Sequence, residues 1–157
     1  MRDLEINDLI KEFNRFYLDY SMEEEHEILA IGPERRFKQT QFNEIYHPLF
    51  LTLWVHGLDM HLKEHSDTIR DTYIKGLKEC YRKEKGEFEH TMSLVIDYEA
   101  MLEDFSEERF RFTAEQIIKK ISRDKKSLVS RAEKLGACMQ KIQRSLEDML
   151  KDVHVIK

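Results

Sequence analysis

The chain has 157 residues, 36% of them charged, a formal net charge of −5, and only five glycines and two prolines. These figures fit one domain with a real core and favour long helices over turn-rich β folds. Two widely separated cysteines, Cys80 and Cys138, argue against a disulfide framework or zinc knuckle, and no apolar run reaches the ~18 residues of a membrane span.

The opening Met1-Arg2-Asp3-Leu4-Glu5 lacks the apolar core of a secretory signal. With both thiols at apolar helical positions, a reducing cytoplasm is the expected location. Asp3 to Tyr20 reads as the first helix, because Ile6, Leu9, Ile10, Phe13, Phe16, Tyr17 and Tyr20 recur at three and four. The acidic run Glu23-Glu24-Glu25-His26-Glu27 reads as a short solvated helix or loop, and Gly32-Pro33 breaks the chain before the next helix.

Phe37 to His65 is the most apolar stretch. Between Leu49 and Val55 only Thr52 is polar, so this helix belongs at the centre of a bundle. Pro48 predicts a kink or a fresh start near His47. Apolar residues then keep helical spacing from Ile69 to Phe105, which predicts one long helix over 67–104, bent or broken around Lys83 to Gly86.

The final third carries the most regular pattern. From Ala114 to Val153 the steps alternate four and three, and eleven of the twelve positions are apolar; Lys125 is the exception. A 3.5-residue repeat marks a seam that supercoils against a neighbour, here over a rod of roughly 60 Å. The expected fold is all-α: an elongated bundle on a long antiparallel hairpin of 67–104 and 107–153, with the helices of residues 1–65 packed along it. No strand alternation is evident. Residues 1–106 carry 13 basic and 23 acidic side chains, and residues 107–157 carry 13 and 8, so the two parts differ by −10 against +5.

The leading functional expectation is a non-enzymatic protein-interaction module, an adaptor, regulator or scaffold, that self-associates as a dimer. Its seam would be Leu128, Leu135, Met139, Ile142, Leu146 and Met149. Gly-rich phosphate loops, nucleophile elbows and His-Glu-x-x-His are missing, which disfavours an enzyme.

A second reading comes from three Glu-x-x-His pairs, Glu23/His26, Glu44/His47 and Glu87/His90, and from His61/His65 at i and i+4. Residues at these spacings share a helix face, as the ligands of helical carboxylate and zinc sites do. Glu87, His90, His61 and His65 are the candidate ligands, for a transition metal such as iron or zinc. A weaker reading is electrostatic: Lys119, Lys120, Arg123, Lys125 and Lys126 could meet phosphates of nucleic acid or a membrane. No aromatic follows Phe112, so that helix cannot stack on bases and nucleic acid is not the favoured partner.

Overall fold

The apolar periodicities close into seven helices and one short ribbon in the computed structural model, which describes residues 1–156, without the side chain of Lys85. In chain order these are β1 (Arg2–Glu5), α1 (Ile6–Asp19), α2 (Glu23–Ile28), α3 (Arg36–His61), α4 (Ser66–Cys80), α5 (Lys85–Leu102), α6 (Glu107–Ile121), α7 (Leu128–Leu150) and β2 (Val153–Ile156). The class is all-α.

α3 is the axis of the fold. Every residue from Pro48 to Val55 is buried, and the helix runs through Pro48 without a break. Proline cannot donate to the residue four back, so the carbonyl of Glu44 is left without its intrahelical donor. Trp54 stacks on Phe13 of α1 (centroids 4.3 Å apart, 10° between planes), and Tyr73 of α4 meets both rings edge-on. On the opposite side Thr52 donates to the Val95 carbonyl, and Tyr98 donates to that of Ile45 at 2.5 Å, fastening α5 to α3.

Both halves of the expected hairpin are interrupted. The helix over 67–104 ends at Cys80 and restarts at Lys85, with Glu84 N–H donating to the Tyr81 carbonyl across the turn. From Arg82 to Glu87 no apolar residue is available to be buried, so nothing rewards continuing the rod. The expected 60 Å rod likewise splits at residues 122–127. Ser122 Oγ accepts from Asp124 N–H and Asp124 Oδ1 accepts from Lys126 N–H, local bonds that compete with helix. Lys125, the polar seam position, sits in this turn, and Ser127 takes a left-handed φ of 58°.

The split lets α6 and α7 fold back on each other. They pack tightly at Gly136, where an added Cβ would lie 3.3 Å from the backbone of Phe110 and Arg111. The seam that predicted a partner helix is therefore completed by the chain's own α6 and by α3.

Ser106 is the N-cap of α6, its Oγ accepting from Arg109 N–H at 3.3 Å, while Asp104 accepts from Ser106 N–H. Residues 2–5, of which 3–5 were expected to open the first helix, instead pair in parallel with Val153–Ile156, Arg2 opposite Val153 and Glu5 opposite Ile156. The Arg2 guanidinium donates to the Met149 carbonyl and pairs with Glu12, tying the ribbon to α7 and α1. No described helix is long and apolar enough to cross a membrane.

Candidate functional site

Of the seam residues, Leu135, Met139, Ile142 and Leu146 are fully buried, and Leu128 and Met149 are half-buried against the same core. These are core positions of a single chain. The exposed apolar residue of α7 is Val129, outside the seam.

The four residues offered as metal ligands are not brought together. His61 and His65 lie at the end of α3 and in the turn after it, whereas Glu87 and His90 lie on the first turns of α5. Among the described residues no group of three or more His, Cys, Asp or Glu is placed to hold an ion. Glu87 and His90 instead share a cavity of about 370 Å³ with Glu44 and His47, so two of the three Glu-x-x-His pairs meet there without converging on a point. Burial lowers the His47 imidazole and favours its neutral form. Tyr17, Tyr73 and Tyr81 complete the polar wall, and burial together with the nearby Tyr81 pushes the Tyr17 phenol up to about 12. The third pair is unavailable, because His26 is hydrogen-bonded to Asn43 at 2.9 Å.

Glu25 was read as part of a solvated acidic run, yet it is fully buried. Its Oε2 accepts from the Tyr20 hydroxyl at 2.5 Å and Oε1 has no partner among the described residues; burial first, and Glu25 next, hold the Tyr46 phenol well above its ordinary value. Cys138 of α7 faces the same region; burial, Glu25 and Glu24 push its thiol up to about 12. Cys80 is exposed. Alkylation of the native protein at mildly alkaline pH should therefore label Cys80 and spare Cys138, which reacts only on unfolding. Peptide mass mapping checks this, and equal labelling rates would mean that α2 does not shield Cys138.

The basic run gains company from the fold. Lys38 Nζ donates to the Ile121 carbonyl at 2.7 Å, fixing the start of α3 against the end of α6 across 83 residues of sequence. Arg35, Lys38 and Arg123 line one concavity there, of about 270 Å³. Eight basic residues thus come from two segments, Arg35, Arg36 and Lys38 from one and Lys119, Lys120, Arg123, Lys125 and Lys126 from the other. Among the described side chains only Lys119 of these is in an ion pair, with Glu115 at 3.2 Å. The first turn of α3 carries no acid and no side-chain cap, so its positive dipole end adds to the field.

Phe37 lies within this cluster and is 81% exposed. Sequence reasoning missed the α3 contribution because it searched for aromatics only along the C-terminal helix; the signal was the Arg35-Arg36-Phe37-Lys38 run after the Gly32-Pro33 break. No family model, curated protein or solved structure matches the chain.

Proposed function

We propose that the chain is a non-enzymatic helical binding module whose ligand is single-stranded nucleic acid, held on the face that joins Arg35, Arg36 and Lys38 to the 119–126 run. The observation that carries this reading is the meeting of two basic segments at the Lys38–Ile121 bond, with the exposed Phe37 next to Lys38 on the same helix turn. Unpaired Lys and Arg side chains release counterions from a phosphate backbone, and an exposed ring gives a base a surface to stack on. Residues 1–106 carry a balance of −10, so the basic run from Arg35 to Lys38 stands out within that part of the chain.

Two other readings have less support. Self-association through the C-terminal seam would require α6 and α7 to separate, because Leu135, Met139, Ile142 and Leu146 have no exposed surface to offer. A membrane surface needs an apolar stripe beside the charge, and α6 and α7 turn theirs inward.

Fluorescence anisotropy with a labelled oligonucleotide, repeated across a salt series, tests the proposal. The logarithm of affinity should fall against the logarithm of salt with a slope of about −3, as for roughly four neutralised phosphates. Arg36→Glu with Arg123→Glu should flatten the slope, since both side chains point to solvent and folding is spared. Phe37→Ala should weaken binding about tenfold and leave the slope in place, because stacking is largely uncharged. A salt-independent signal, or equal loss on Val129→Glu, would remove nucleic acid from consideration. Tighter binding to phosphatidylserine vesicles than to the oligonucleotide would transfer the face to membranes.

A further inference from the structure

The cavity among α1, α3, α4 and α5 lies apart from the basic face, and its chemistry has the opposite sign. It holds about 370 Å³, within the range of small-ligand sites. Three phenols, Tyr17, Tyr73 and Tyr81, line it and lie close enough to act on one another's ionisation. Two carboxylates, Glu44 and Glu87, lie in the same wall, and no described Lys or Arg does. The ion pairs among the described side chains use other carboxylates.

We infer that this cavity binds a small organic cation, an alkylated ammonium group held by the phenol rings and balanced by Glu44 and Glu87. Aromatic faces attract such cations through their quadrupoles, and the attraction grows where water is partly excluded. Carboxylates with no ion-pair partner among the described side chains leave a negative site that an incoming cation neutralises. Two further features agree. Burial lowers His47 and favours its neutral form, so the imidazole tilted against Tyr17 (centroids 4.5 Å apart, 35° between planes) adds no opposing charge. Pro48 lines the same wall and leaves the Glu44 carbonyl undonated, which adds another negative dipole beside it. Gly86 forms part of the lining, and a Cβ there meets nothing within 4 Å, so the entrance is open.

The same ammonium chemistry could arrive free, as in choline, or on a trimethylated lysine of a protein tail. Trp54 is the only tryptophan and stands edge-on to Tyr73 at 5.5 Å, so its fluorescence reports on occupancy of the cavity. The experiment titrates the full chain with choline, with a trimethyllysine peptide, and with 3,3-dimethylbutanol, the uncharged isostere of choline. Saturable binding of at least one cation is expected, with the isostere about tenfold weaker or more. Glu87→Gln and Gly86→Arg should each weaken binding about tenfold while the melting curve stays unchanged, as both positions are exposed. Equal affinity for choline and the peptide assigns a free small molecule; a peptide preference of about tenfold or more assigns a protein tail. The inference is overturned if the isostere binds as well as choline, or if neither cation saturates below about 10 mM. Binding that survives Gly86→Arg overturns it as well.

Discussion

Leu135→Asp unfolds the chain rather than releasing folded monomers. Leu135 is fully buried on the face of α7 that meets α6 and α3, one residue from the close approach at Gly136. A carboxylate there has no cation to pair with and no water, so it either stays charged at a cost of several kcal/mol or takes up a proton. The lost leucine contacts add a further ~2–5 kcal/mol. Against a total stability of about 5–15 kcal/mol, the sum removes the folded state or nearly so. Val129→Asp on the same helix, at a position 67% exposed, should change stability by no more than about 0.5 kcal/mol. Circular dichroism melts with light scattering distinguish the outcomes. A seam between two chains would instead yield a helical protein of half the mass, and that result would contradict the packing of α6 on α7.

This contrast explains why the class of fold was legible and its connections were not. α3 could be read directly, because a helix with only Thr52 polar between Leu49 and Val55 has to be covered on all sides. The seam was expected to face a partner helix, within the chain or on another copy; Leu135, Met139, Ile142 and Leu146 are buried within the chain, where α7 lies against α6 and α3. Ile121 and Leu128 stand seven residues apart whether or not the residues between them are helical, so a heptad count passes unbroken through the turn at 122–127. The competing signal was local: Ser122 and Asp124 are residues whose side chains bond to nearby backbone and end helices. The ribbon of β1 and β2 was invisible because four residues are too few for an alternation to register. Neither candidate site could be read along the sequence. The basic face needs Lys38 beside Ile121, and the cavity needs Glu44 beside Glu87, contacts that exist only once α3 has been surrounded. What the sequence carried was the inventory: Glu-x-x-His pairs that proved to be walls of a cavity, and a basic run that proved to be half of a patch.

Alkaline solution should unfold this protein steeply between about pH 10 and 12. Five of its six tyrosines are raised from the usual value near 10: Tyr17, Tyr20, Tyr46, Tyr73 and Tyr98, burial being the largest cause at each. Cys138 is raised to about 12. The unfolded chain releases these protons near pH 9–10, whereas the folded chain holds them, so above that range the unfolded state binds fewer protons. The stabilisation is complete below the unfolded value and is lost as pH rises. Each group contributes about 1.4 kcal/mol per pH unit in this window. The three most enclosed phenols, Tyr46, Tyr73 and Tyr98, together give roughly 4 kcal/mol per unit, and two units then match a typical total stability. Urea denaturation at stepped pH, with phenolate absorbance recorded alongside, should show the absorbance rising together with the loss of helix. Tyr98→Phe removes one titrating group and the bond to the Ile45 carbonyl, so the variant should be less stable at neutral pH yet lose stability less steeply. Phenolate appearing gradually near pH 10 with helicity intact would mean that α5 and α4 open locally, and would detach the tyrosines from the global stability of the fold.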